Sequence, residues 1–177
     1  MNKLLQSNTF LIFCVLTLPW LIKLVIPFYP YWAHMTSAIL SYSVIFLWFL
    51  FLDAELTKRI PLKIRPSNVL FLINLVLIYL LLCSVTIYLE PGQEFRVTGF
   101  AALPFLYLFY AWFSIYDHLS KLLAFSEEEK EAAFTKRMGD MILFFFFFIG
   151  VWWLQPRIRK TLEKPEITKA SYLVANR

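Results

Sequence analysis

The amino-acid sequence predicts an all-α fold, a polytopic integral membrane bundle of five transmembrane helices, and three observations carry that expectation. Of the 177 residues 60% are hydrophobic and only 16% are charged, which lies outside the usual makeup of a soluble domain. The charges are gathered in short blocks, and the apolar stretches between them suit a hydrocarbon layer roughly 30 Å thick, which takes about 20 helical residues to cross. Those stretches are continuous rather than alternating in polarity, so the backbone meets its own hydrogen bonds in helices and not in a barrel. Residues 1–164 read as one domain and 165–177 as a tail.

The first span covers 10–27. It follows MNKLLQSNTF, which has one lysine, and it lacks a small-residue cleavage pattern, so it reads as a retained helix and not a cleaved signal. Lys23 sits near enough to its end for the long stem to carry the ammonium out to the headgroups. The aromatic cluster FYPYW, 28–32, marks a turn at the interface. The second span covers 33–52 and is ended by Asp53 and Glu55, after which the loop LTKRIPLKIRPSN holds Lys58, Arg59, Lys63 and Arg65. Ser67 or Asn68 caps the third span, 68–89, and Glu90, Pro91 and Gly92 break it.

The fourth span covers 98–116, and DHLSKLLAF beyond it is polar on one face. Ser126 stands three residues before Glu129, the capping-box spacing, which starts a new helix at Glu127 and makes 117–138 a helical hairpin on the inner side. The fifth span, 139–155, contains MILFFFFFIGVWWL. Met141–Leu154 alone makes only about 21 Å of helix, so the helix must extend backward, with Asp140 at the headgroups and Trp152 and Trp153 at the opposite interface. Pro156 kinks or ends it there. Five consecutive phenylalanines in such a setting indicate bulk burial and not a cofactor box.

Basic residues in short loops are retained inside. In the five-span threading, nine Lys and Arg lie on the N-terminal side and seven on the other; if the last segment folds back without crossing, the count becomes fifteen against one. Charge therefore favours the alternative, four spans plus a membrane-embedded fold-back helix, and hydrophobicity favours five spans. Five spans with the N-terminus inside, in a bacterial inner membrane or its equivalent, is the expectation carried forward.

Topology then sorts the ionisable groups. His34 and His118 fall at opposite interfaces, about 30 Å apart, and cannot share a metal. No HExxH, CxxC, Walker or GxSxG pattern occurs, so no catalytic residue, metal or cofactor is assigned. Cys14 and Cys83 lie in apolar runs as small buried hydrophobes. The best constellation is an inner-interface set, Asp53, Asp117, His118, Lys121 and Asp140, which could bind a metal, relay protons or hold a headgroup were their helices adjacent. Lys23 and Glu90 form a candidate outer-interface pair. Asn74 is the notable polar residue in mid-span, suited to an interhelical hydrogen bond.

Lys58, Arg59, Lys63 and Arg65 are assigned to anionic lipid headgroups and not to nucleic acid, because short basic loops beside spans are what topology requires. The leading functional expectation is a non-enzymatic accessory, scaffold or assembly subunit that meets a protein partner or itself, with the charged hairpin as a contact. A small transporter or channel is a second reading, and an interfacial lipid-modifying enzyme using Asp117 and His118 a third. The latter requires both groups within about 3 Å of one point beside a cleft open to lipid.

Overall fold

The computed structural model describes residues 8–25, 31–60, 65–88, 99, 103–128 and 134–163. Among these the chain is all-helical, with six helices and no strand: α1 (Thr9–Val25), α2 (Tyr31–Thr57), α3 (Val69–Tyr88), α4 (Leu103–Glu128), α5 (Phe134–Phe145) and α6 (Phe147–Leu162). Each packs on its neighbour in sequence, and α6 returns to pack on α1. The ring so closed has α2 as its hub, since α2 also touches α4 and α6. Two stretches, Trp32–Thr57 and Val69–Tyr88, are long and apolar enough to cross a membrane.

The first four helices follow the apolar runs of the sequence, and their bounds depart from expectation for identifiable reasons. Pro19 stays inside α1. Its carbonyl accepts a hydrogen bond from the Ser37 hydroxyl of α2 at 3.2 Å, which ties the two helices together. Asp53 and Glu55 do not end α2, which runs to Thr57 because both carboxylates find partners: His118 for Asp53, Lys58 and Arg59 for Glu55. At the start of α3 the Ser67 hydroxyl lies 3.5 Å from the Val69 amide, while the Asn68 side chain turns to Asp53.

The largest departures lie beyond position 116. No new helix starts at Glu127: α4 continues to Glu128. The Ser126 hydroxyl donates back to the Leu123 carbonyl at 2.8 Å, the i−3 bond of a residue inside a helix. α4 and α5 pack against each other.

The segment 139–155 is not one continuous rod. It breaks at Phe146 (φ −88°, ψ 52°), where α5 ends and α6 begins. The two helices then pack against each other, and Arg157 on α6 bonds Asp140 on α5. In a straight helix those residues, 17 apart, would stand about 25 Å from each other. The segment therefore folds back on itself and is not one straight rod. Gly150 makes the close approach possible, because a β-carbon there would overlap the Leu143 carbonyl one helix earlier. Pro156, expected to kink or end the helix, is carried within α6, which runs on to Leu162.

The phenylalanine run is divided by this turn. Phe144 is fully buried, near Trp48 of α2, whereas Phe146 and Phe148 face outward. The common core draws on every helix, with Ile12, Leu52, Phe71, Leu119, Phe144 and Leu154 all buried.

Candidate functional site

Among the described residues, ionic groups gather at one end of the bundle, where α2 ends, α3 begins and the fold-back hairpin has its open end. The first joins α2 to α4. His118 Nε2 lies 2.8 Å from Asp53 Oδ1, and both residues are buried, His118 at 8% exposure. The imidazole stacks on Phe71 of α3, ring centroids 4.5 Å apart. Asn68 Nδ2 donates to the other carboxylate oxygen at 3.5 Å. Three helices thus converge on one His–Asp pair.

The second group lies on the outer flank of α4 and α5. Asp117 accepts from Lys121 one turn on at 2.5 Å and from Arg137 of α5 at 3.2 Å. Asp117 and His118 are adjacent in sequence, yet consecutive helical residues diverge by about 100°, and they serve different partners.

The third group closes the hairpin. Arg157 presents its planar fork to two carboxylates at once: Nη1 and Nη2 to Asp140 at 2.5 and 3.0 Å, Nε and Nη2 to Glu127 at 2.8 and 2.9 Å. Bidentate geometry of this kind is what guanidinium offers and ammonium does not. Lys136 adds a contact to Glu127 at 3.0 Å. Asp140, at 3% exposure, lies inside the protein and not among headgroups. Burial pushes the Glu127 carboxyl upward, but the hydrogen bonds and charges of Arg157 and Lys136 outweigh it and hold the group below its ordinary value. Asp140 and then Glu127 raise the Arg157 guanidinium above its own.

The five residues of the expected inner-interface set therefore share an end of the molecule but not a single site. Asp53 meets His118, Asp117 meets Lys121, and Asp140 belongs with Arg157 and Glu127. The five-span threading sends Arg157 to the far side, whereas the fold sets it against Asp140 and Glu127. Within the described residues no set of three His, Cys, Asp or Glu has metal-binding geometry. His34 sits 19 residues before Asp53 on α2, about 28 Å away at helical rise, so the two histidines are at opposite ends as expected. Glu90 and the Lys23 side chain lie outside the described residues, as does Lys63.

Arg59 corrects another expectation. It does not reach for lipid headgroups: it is 5% exposed. Its Nη1 donates to the Glu55 carbonyl and its Nη2 to the Leu162 carbonyl, each at 2.9 Å. Leu162 ends α6, so a cation here satisfies a terminal helix carbonyl and favours the negative end of the dipole. It also binds the end of α6 to the end of α2. Lys58 is half exposed and paired with Glu55, and Arg65 is exposed.

Asn74 is fully buried on α3, where its Oδ1 accepts from the Tyr107 hydroxyl of α4 at 2.9 Å. Its Nδ2 has no hydrogen-bond partner among the described residues. A second interhelical bond joins the Ser43 and Tyr79 hydroxyls at 2.9 Å. Cys14 and Cys83 are free thiols.

Comparison with protein families, curated proteins and solved structures finds no match.

Proposed function

We propose that the chain is an integral membrane protein with four crossings, α1 to α4, and a re-entrant hairpin, α5 and α6, and that it acts as a non-enzymatic accessory or scaffold subunit. The observation that carries the reading is the Arg157 clamp on Asp140 and Glu127. It returns the end of α6 to the end where α2 finishes, and in the threading that follows, the sequence carries fifteen Lys and Arg on the N-terminal side against Lys23 and Arg96, the asymmetry expected of a membrane protein. Exposure supports the same view. Leu106, Phe109, Ile149 and Trp153 are each about two-thirds exposed, a scale of apolar display that suits lipid better than water. The apolar first turns of α4, from Leu103 to Tyr116, belong to the crossing that the sequence places at 98–116, and Asp117 to Glu128 project beyond the bilayer.

The accessory role is favoured by how the charges are used. Asp53, Asp117, Glu127 and Asp140 each engage a cation or imidazole of another helix, which braces the bundle. The lipid-modifying reading needed Asp117 and His118 at one point, and their divergent partners remove its support. The basic end, with Lys58, Arg65, Arg159 and Lys160, is offered to anionic headgroups.

The test is reconstitution. The full chain should resist carbonate extraction from membranes and migrate in native membranes, after cross-linking, as part of a larger assembly with itself or a partner. Ion or solute flux in sealed proteoliposomes that falls with Asp53→Asn or Asn74→Leu would instead establish the transporter reading.

A further inference from the structure

A chamber of about 360 Å³ lies above the turn of the fold-back hairpin. Trp20 of α1, Tyr42 and Phe46 of α2, and Trp112 and Tyr116 of α4 form its walls, and Phe145 and Phe147 on either side of the break form one end. Among the described residues no charged side chain lines it. A second space of about 380 Å³, in the groove between α3 and α4, shares Leu82, Trp112 and Phe145 with it. That groove opens past Phe105 and Phe109, which are exposed on the surface read above as lipid-facing.

From this geometry we infer that the chamber is a binding site for a single uncharged hydrocarbon chain, which enters from the bilayer along the α3–α4 groove. The inference rests on the membrane reading. Protein interiors are packed to the density of organic crystals and leave few voids larger than one water molecule, whereas this chamber falls within the range of ligand pockets, roughly 300–1,000 Å³. Water is a poor occupant, because it needs several polar partners and the walls are mostly rings and alkyl groups, with only Tyr and Trp side chains to offer polar atoms. With Leu82, Trp112 and Phe145 shared by the walls of both spaces, a linear chain suits the site better than a compact or planar molecule. The hairpin turn then has a purpose: the Phe146 break aims Phe145 and Phe147 at the chain's end.

Such a chain is either the tail of a bilayer phospholipid or a free fatty acid. Two probes separate them: a phosphatidylcholine with a diazirine at its tail end, and a palmitic acid carrying the same group. The full chain is placed in phosphatidylcholine nanodiscs with each probe in turn, irradiated, and mapped by peptide mass spectrometry. Adducts on Phe46, Ile115 or Tyr116, which are buried, are expected from at least one probe. For the acid they should be lost under excess unlabelled palmitate, a competition that needs no variant. Ile115→Trp, which fills the chamber, should abolish those adducts and keep the ones on exposed Ile149. Labelling confined to exposed positions such as Leu106 and Ile149, in a chain that resists carbonate extraction, would overturn the inference and leave the membrane reading intact. A chain released by carbonate would fail the membrane reading first.

Discussion

Arg157 and Asp140 offer the sharpest perturbation, because their coupling exists only if α6 folds back on α5. Removing one partner of a buried ion pair costs roughly 3–5 kcal/mol, most of it from the charge left behind. Here the Arg157 side chain keeps 31% of its exposure and that of Asp140 4%. Water screens part of the loss, and Arg157→Gln is expected to destabilise by about 2 kcal/mol. Asp140→Asn retains one acceptor for the guanidinium and should cost about 1 kcal/mol. The double variant removes the stranded charge, so the two effects should fall short of additivity by about 1 kcal/mol, the size typical of residues in one network. The assay is denaturant unfolding in lipid-doped micelles, followed by tryptophan fluorescence, on the four members of the cycle. Strict additivity would refute the fold-back, because residues about 25 Å apart on one straight helix do not couple.

Gly150→Ala should destabilise the hairpin by about 1–3 kcal/mol in the same assay, since the added methyl meets the Leu143 backbone carbonyl and not a yielding side chain. Because Glu127 ionises more readily in the folded protein than at its ordinary value of 4.5, the stability it contributes is fully present above that pH and fades as pH falls through the lower folded value. Wild type should therefore lose stability below 4.5, and Glu127→Gln should flatten that limb of a pH–stability curve. Tyr107→Phe strands the Asn74 carbonyl oxygen and should cost about 0.6–1.5 kcal/mol in unfolding free energy; an unchanged value would place that bond outside the folded structure. Arg59→Met should release the end of α6, seen as faster amide exchange at Leu162.

The helices α1 to α3 were legible within a few residues because continuous apolar runs admit little else, and the bounds slipped only where a carboxylate found a partner. Asp53 and Glu55 looked like terminators of a span, as charges at a bilayer edge do. That they sit inside a helix depends on His118 and Arg59, which lie far away or on the following turn, and no local rule reports such pairing. The sequence places Asp53 and His118 toward the same end of their apolar runs, and the fold pairs them. The separation of Asp117 from His118 follows from helical angle alone.

The Phe146 turn left no local mark. Turns are ordinarily announced by Gly, Pro, Asn or Asp, and five phenylalanines announce the opposite. What bends the chain is nonlocal: a guanidinium at 157 matched to carboxylates at 127 and 140, with Gly150 allowing backbone to approach backbone. The charge count alone hinted at it, since fifteen against one is a far stronger bias than nine against seven. Arg59, assigned to lipid by its loop, serves the Leu162 carbonyl for the same nonlocal reason.

Cysteine accessibility in sealed vesicles tests the central claim most directly. In a chain lacking Cys14 and Cys83, single cysteines are placed at the exposed positions Asn8 and Lys160 and treated from one face with a reagent that cannot cross the bilayer. A hairpin that returns puts both on the same face, so they should be labelled together or protected together. Labelling of one with protection of the other would mean that α6 emerges on the far side, contradicting the fold-back and the ion pairs that hold it.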